Sequence, residues 1–374
     1  MDNWTEYSLG QLLEYEQPTP YIVESTDYDD KYKIPVLTAG KSFVLGYTDE
    51  DFGIYNSLPV IIFDDFTTAT QYVNFPFKVK SSAMKILTAN TELVLPKFIY
   101  YRMQIIEFDH STHKRYWIQQ YSKIKVEIPS IPEQERIVAR IEELFSQLDS
   151  GVETLKKIKR QLAVYRQAVL KKAFSSCRKS RAVEQVCVHV TDGDHFPPPK
   201  AESGIPFIMI SNITNQKIVW ENTNHVGEDY YNQIGEKRTP KKGDVLYTVT
   251  GSYGIPVLVD FDKKFCFQRH IALLRPNENI TQKYLYYVMQ SPWVYQQATD
   301  KATGTAQKTV ALSVLRKIMI PYCDLTRQHT VVSVLESRLS ACDSIEQTVD
   351  TALQQAEAMR QSILKQAFEG SLII

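Results

Sequence analysis

The feature that most constrains this chain is a phrase written twice: YRQAVLKKAF at residues 165–174 and MRQSILKQAF at 359–368, 194 positions apart. Stepping backward at that offset, Ile141-Glu142 meets Leu335-Glu336 and Asp149 meets Asp343. The match therefore covers a helix rather than a short motif. Upstream, KVEIP ending at Pro129 resembles KIMIP ending at Pro321, and PKFIYYRMQ (Pro96 to Gln104) resembles QKYLYYVMQ (Gln282 to Gln290). SLGQLL from Ser8 faintly matches AVEQVC from Ala182, so the duplication extends into globular segments. The expected architecture is an α+β chain of two halves, each a mixed head followed by a long helix, with a pseudo-two-fold internal repeat. Its expected boundaries are a first head at 1–130, a first spacer helix at 131–181, a second head at 182–322 and a second spacer helix at 323–374.

The helices carry a seven-residue apolar rhythm. In the first it runs through Ile137, Ile141, Leu144, Leu148, Leu155, Ile158, Leu162, Tyr165 and Val169, interrupted at Gly151. In the second it runs through Val331, Leu335, Cys342, Ile345, Val349, Ala352, Ala356, Met359 and Ile363, with Arg338 as the exception. Such stepping by four and three is a coiled-coil seam. Pro132 suits a first helical turn. Because the first helix delivers the chain to the second head, mutual burial of the seams requires an antiparallel pair. Charge agrees: Thr154 to Val183 contains ten basic residues and no acid, whereas the second helix offers Asp343, Glu346, Asp350 and Glu357. Some 40 residues at about 1.5 Å each make a rod of roughly 60 Å.

The heads contain strand-like runs, LPVIIFDDF (Leu58 to Phe66) and GDVLYTVTGSYGIPVLV (Gly243 to Val259), and the FIYY-type aromatics read as core. Polar loops at matching places supply donors suited to phosphates and base edges. In the first head the candidates are Thr67, Thr68, Gln71, Lys78, Lys80, Ser81, Ser82, Lys114, Arg115 and Tyr116. In the second they are His195, Ser252, Tyr253, Gln268, Arg269, His270, Lys301, Thr303, Thr305, Gln307 and Lys308. A zero net charge and a pI near 7 oppose a nucleic-acid partner when taken alone, so any such affinity must be local.

Catalytic signatures fail one by one. PVLTAGKS (Pro35 to Ser42) has proline where a phosphate-binding loop needs glycine, and HFPPPK (His195 to Lys200) lacks the residue an amino-methyltransferase places before its prolines. His110 and His113 lack a third metal ligand, TDGDH (Thr191 to His195) is no complete calcium loop, and five scattered cysteines form no C-x-x-C pair. Neither a catalytic nor a metal residue is expected. Without a long apolar run or a secretion signal, a cytoplasmic location is expected.

IPEQERIV (Ile131 to Val138), AVLKKAF, TDGDHFPPPK, GIPFIMISNI (Gly204 to Ile213), GDVLYTVTGSYG and KATGTAQKTVALSVL together resemble the specificity subunit of type I restriction-modification enzymes, over essentially the whole chain. The second helix departs by entering through CDLTRQHTVV (Cys323 to Val332). The resemblance implies two target-recognition domains reading an asymmetric bipartite site in double-stranded DNA, held apart by a helical ruler. It implies no cofactor in this chain. Two methyltransferase subunits would use S-adenosylmethionine, and restriction subunits, where present, ATP and Mg. The rival reading is a coiled-coil assembly scaffold whose heads bind proteins or small ligands, which the neutral pI favours; an autonomous enzyme would need a constellation the sequence does not show.

Overall fold

The computed structural model describes residues 4–38, 43–110, 115–195, 197–305 and 307–372. They form two compact units, Met1–Leu155 with Thr351–Ile374, and Lys156–Asp350.

In the first unit the order is β1 (Thr5–Ser8), α1 (Leu9–Leu12), β2 (Leu13–Glu16), β3 (Ile34–Leu37), β4 (Val44–Thr48), β5 (Val60–Asp64), β6 (Thr70–Val73), β7 (Lys78–Val79), β8 (Met84–Ala89), α2 (Pro96–Met103) and β9 (Lys125–Ile128), followed by α3 (Ile131–Phe174). An antiparallel sheet runs β2-β8-β5-β6, a second runs β4-β3-β7 with β3 and β7 parallel, and β1 pairs with β9. The central strand VIIFD is buried on both faces, and the two-residue period sorts its side chains between two cores. Ile61 and Phe63 join Phe98 of α2, Ile141 of α3 and the C-terminal Leu364 and Phe368. Val60 and Ile62 join Leu37, Phe77 and Val79.

The second unit repeats this plan. Its order is β10 (Lys179–Ala182), α4 (Val183–Val186), β11 (Cys187–Asp192), β12 (Ile205–Ile208), β13 (Ile213–Thr214), β14 (Lys217–Ile218), β15 (Asn224–Val226), α5 (Glu228–Gln233), β16 (Val245–Thr248), β17 (Pro256–Leu258), β18 (Cys266–Phe267), β19 (Ile271–Pro276), α6 (Gln282–Met289), α7 (Pro292–Asp300), α8 (Leu312–Arg316), β20 (Met319–Tyr322) and α9 (Leu325–Phe368). The sheets run β11-β19-β16-β17 and β15-β12-β18, with β12 and β18 parallel, and β10 pairs with β20. Strand for strand this is the topology of the first unit, with α5, α7, α8 and the β13–β14 hairpin added.

The repeat reaches single side chains. Gln134 and Gln328, 194 positions apart, are both fully buried in the first turn of their long helices. Gln134 Oε1 accepts from the Leu95 amide at 2.8 Å, while its Nε2 donates to the Leu93 and Pro129 carbonyls. Gln328 Oε1 accepts from the Thr281 amide at 2.8 Å, while its Nε2 donates to the carbonyls of Asn279 and Cys323. The divergent CDLTRQHTVV entry therefore preserves a buried side chain that ties the helix to its head.

Within each unit the α3 and α9 segments pair antiparallel. In the second, Lys159 meets Asp350 at 2.7 Å, Arg166 meets Glu346 at 2.8 Å and Asp343 at 2.7 Å, and Arg327 donates to Ser176. In the first, Arg360 pairs with Asp149 and lies over the Phe145 ring. The seam differs from the apolar reading at three places. Tyr165, Ile345 and Met359 are 47%, 46% and 53% exposed, and the charged neighbours Arg166, Glu346 and Arg360 take the inner positions. Stepping four and three from Leu335 gives Leu339, Cys342, Glu346, Val349, Leu353, Ala356, Arg360, Ile363 and Ala367, all buried or half-buried. Long side chains fill these inner sites because their aliphatic stems pack while their heads find a counter-charge. Of the other seam candidates, Ile137, Ile141, Val169, Val331, Leu335, Val349 and Ile363 are buried, and Leu144, Leu148, Leu155, Ile158 and Leu162 are half-buried.

Candidate nucleic-acid interface

Strand register brings most of the second head's polar candidates to one end of one sheet. β11 finishes at Asp192 opposite Ala272, β16 finishes at Thr248 opposite Ile271, and β17 starts at Pro256 opposite Tyr247. The segments after Asp192 and Thr248 and before Ile271 and Pro256 therefore leave together. They are tied to one another: Val249 N donates to His270 O at 2.9 Å, Arg269 N to Asp194 O at 2.9 Å, and Asp194 N to Phe267 O at 3.0 Å. Gly193 makes this approach possible, since a Cβ there would sit 2.0 Å from the Phe267 carbonyl oxygen. The 301–309 loop joins through Gly251 N to Lys308 O and Val310 N to Val249 O, at 2.9 and 2.8 Å. Tyr253 stacks on Tyr295 with ring centroids 5.5 Å apart, and its hydroxyl donates to Thr299.

On this platform His195, Ser252, Arg269, Lys301, Thr303, Thr305, Gln307 and Lys308 are exposed, and Tyr253, Gln268 and His270 are half-buried. Burial and the adjacent Arg269 hold His270 below the usual imidazole range, so near neutrality its ring offers one donor and one acceptor. His195 lies 2.9 Å from Asp192, which also faces Arg238 at 3.6 Å. Arg238 was not among the candidates; only its place in the basic run KRTPKK (Lys237 to Lys242) hinted at it.

The first head has the same platform. β5 ends at Asp64 opposite Met84, the first residue of β8, and β6 begins at Thr70 opposite Phe63. Asp64 Oδ1 accepts from the amides of Phe66 and Thr67, shaping a turn in which Thr68 adopts φ +58°. His110 Nε2 lies 2.9 Å from both Thr68 Oγ1 and the Thr67 carbonyl oxygen. Tyr116 N donates to Asp65 O at 2.9 Å, the counterpart of Val310 N to Val249 O. Thus Arg115 stands where the 301–309 loop stands in the other head. Thr67, Lys80 and Arg115 are exposed, Thr68, Ser81 and Ser82 half-buried, and Gln71 is exposed on the edge strand β6. Lys114 lies outside the described residues, as do His113 and Gly40 to Ser42 of the rejected phosphate-loop match.

Two candidates face inward. Lys78 is fully buried: Nζ pairs with Glu50 at 2.6 Å and donates to the Phe52 carbonyl at 2.8 Å. Tyr116 is 1% exposed and packs against Phe108 and His110. Both side chains are packed inside the head rather than presented on the platform.

The platforms present amides, hydroxyls, ammonium and guanidinium groups, which suits hydrogen bonding to an anionic polymer. The Cys187 and Cys266 thiols are pushed by burial up to about 12, which makes them unreactive. Among the described residues no helix is long and apolar enough to cross a membrane, and no three His, Cys, Asp or Glu side chains cluster for a metal.

The Type I restriction modification DNA specificity domain matches residues 1–162 and again 194–355. The EcoR124I/EcoR124II specificity subunit of Escherichia coli is 32% identical over 360 residues, covering 90% of this chain and 87% of that protein. The MjaVIII specificity subunit of Methanocaldococcus jannaschii is 23% identical over 406 residues, covering 99% and 93%. Among solved structures, a chain from a study of complex assembly and conformational transition of the type I R-M system shares the fold at TM-score 0.74 and 16% identity, covering 100% of this chain and 99% of that one. The HsdS subunit from Thermoanaerobacter tengcongensis aligns at TM-score 0.51 and 17% identity, covering 100% and 98%. Each half thus carries the same sheets, the same glutamine-tied helix entry and a match to the same domain: the chain belongs to the type I restriction-modification specificity subunits, with two target-recognition domains.

Proposed function

We propose that this chain selects an asymmetric bipartite sequence in double-stranded DNA, each head reading one half and α3 with α9 setting the spacing. The observation that carries the reading is the pair of equivalent sheet ends with unlike side chains: Lys80, Ser81 and Ser82 in the first head stand where Gln268, Arg269 and His270 stand in the second. Equivalent platforms with different donors read different bases, hence two unlike half-sites. The exposed Lys and Arg side chains position the backbone, and binding weakens as salt rises.

On this reading the chain chooses the site and does no chemistry. Two methyltransferase subunits dock on it and bring S-adenosylmethionine to methylate adenine; restriction subunits, where present, bring ATP and Mg. The neutral overall charge is consistent with partners that contribute phosphate contacts. The assembly works in the cytoplasm.

The test is methylome sequencing of a host that expresses the chain with its methyltransferase subunit, beside one in which residues 268–270 are replaced by alanine. A split, asymmetric methyladenine motif whose second half alone degenerates in the variant supports the proposal. A soluble complex that leaves no motif, or a motif unchanged by the variant, overturns the assignment of these loops.

A further inference from the structure

Cys177 lies just beyond the end of α3, and Cys323 immediately follows β20. The two are 146 positions apart, yet their Sγ atoms stand 3.1 Å from each other. The β10–β20 ladder fixes this meeting, since Lys179 pairs with Tyr322 beside it. The Tyr284 hydroxyl lies 3.3 Å from Cys177 Sγ and 3.6 Å from Cys323 Sγ, holding both thiols on one side of α6. Both cysteines are half-buried, so a small oxidant can reach them, whereas Cys187, Cys266 and Cys342 are buried.

A disulfide needs a sulfur separation of about 2.05 Å, so roughly 1 Å of movement closes the pair. We propose that Cys177 and Cys323 form a reversible disulfide site, closed by a low-molecular-weight disulfide such as oxidised glutathione and reopened by a dithiol. One thiol gives up its proton to solvent, its thiolate attacks the oxidant, and one reduced thiol departs. The second protein thiolate then attacks the protein sulfur of the mixed disulfide and expels the other half of the oxidant as its thiol. Two protons and two electrons leave the protein, and the oxidant becomes two thiols. Burial and the Cys177 thiol push Cys323 up to about 11, so closure accelerates as pH rises.

The bond closes a loop around the second head, where its chain leaves α3 and returns to α9. By restricting the unfolded chain it stabilises that head. All five cysteines of the chain stand at 177 or later, and the position one repeat beyond Cys177 is Ser371. The site therefore belongs to one head only. In a reducing cytoplasm such a pair stays open until the thiol pool is oxidised.

The full-length protein is equilibrated with mixtures of oxidised and reduced glutathione, alkylated, digested and mapped by mass spectrometry. A peptide cross-linked through residues 177 and 323, lost in C177S and C323S and kept in C342S, is expected. Its formation should raise the melting temperature of the wild type and leave that of C177S unchanged. If both cysteines remain fully alkylatable, or carry glutathione without cross-linking, the proposal fails. Mapping the wild type decides this even where a serine variant does not fold.

Discussion

Asp65 and Lys85 form an ion pair at 3.3 Å inside the first head, with side chains only 2% and 1% exposed. Asp65 also accepts from the Trp117 amide at 2.8 Å, and its own carbonyl accepts from Tyr116. One residue thereby fastens the 115–117 segment to the end of β5. Replacing Lys85 by Met strands a buried carboxylate and should cost about 3 to 5 kcal/mol, whereas replacing both partners by apolar residues should cost far less. Thermal melts of both single variants and the double variant measure the difference; a double-variant loss equal to the sum of the single losses would mean the pair is not coupled.

Glu50 offers a pH test in the same head. Burial alone would raise its carboxyl, but the hydrogen bond from Lys78 and the amides of Ser25 and Glu24 hold it below the usual range. A group depressed in the folded state stabilises above its unfolded pKa, and that contribution disappears as pH falls through the folded value. Wild type should thus lose this contribution progressively as pH falls from the ordinary glutamate range down to the depressed folded value. Lys78→Met removes the main counter-charge, so the variant should be less stable than wild type at neutral pH and should lose less on acidification. Superimposable pH profiles would show that Lys78 does not hold the Glu50 charge.

The glutamine that seats each long helix should be sensitive to truncation. Gln328→Ala leaves the Thr281 amide and two carbonyls without their partner, a loss of about 1 to 3 kcal/mol, and Gln134→Ala should lose a similar amount in the first head. Denaturation of both variants tests the equivalence. A neutral effect at 328 with a large one at 134 would mean that the divergent entry is not held in the same way.

The repeat was legible because duplicated apolar strings survive in both copies: PKFIYYRMQ and QKYLYYVMQ became α2 and α6. The matching of loops was legible too, since SSAMK and QRHIA both lead into the strand that closes the platform. Equivalence at the α9 entry was hidden, because the clamp needs only Gln328 and tolerates change in the letters around it. Inward-facing Lys78 and Tyr116 were hidden because Glu50 and Asp65 reach them through folds of the chain that no local window contains. Periodicity misassigned three seam positions by favouring Tyr165, Ile345 and Met359 over charged neighbours whose counter-charges lie on the other helix.

Gly193 separates architecture from recognition in the second head. Gly193→Ala drives a methyl into the Phe267 carbonyl and should displace the 194–195 and 268–270 segments at a cost of about 1 to 3 kcal/mol. With the cognate methyltransferase, the second half of the methylated motif should weaken while the first persists. Loss of both halves at once would indicate collapse of the chain.

Arg269 should act more narrowly. It is exposed, and its amide rather than its side chain anchors the turn through Asp194. Arg269→Ala should leave the melting temperature unchanged, relax one base of the second half-site and cost about 1 to 3 kcal/mol of discrimination if the guanidinium is a bidentate reader. An unchanged motif and affinity would remove Arg269 from the reading set.

Arg166 tests the seam itself. Its guanidinium meets Asp343 at 2.7 Å and Glu346 at 2.8 Å, while the adjacent Tyr165 points outward. Reversal to Glu at 166 replaces two attractions by repulsion, and at about 0.2 to 1 kcal/mol for each half-exposed pair the loss should be modest and shrink with added salt. Adding Glu346→Arg should recover part of it, because the reversed pair restores one attraction. Tyr165→Ala, Ile345→Ala and Met359→Ala should each stay within about 0.5 kcal/mol of wild type, as exposed positions do. Melting temperatures of these five variants at low and high salt distinguish the registers: a large loss at Tyr165 or Ile345 with none at Arg166 would return the apolar residues to the seam.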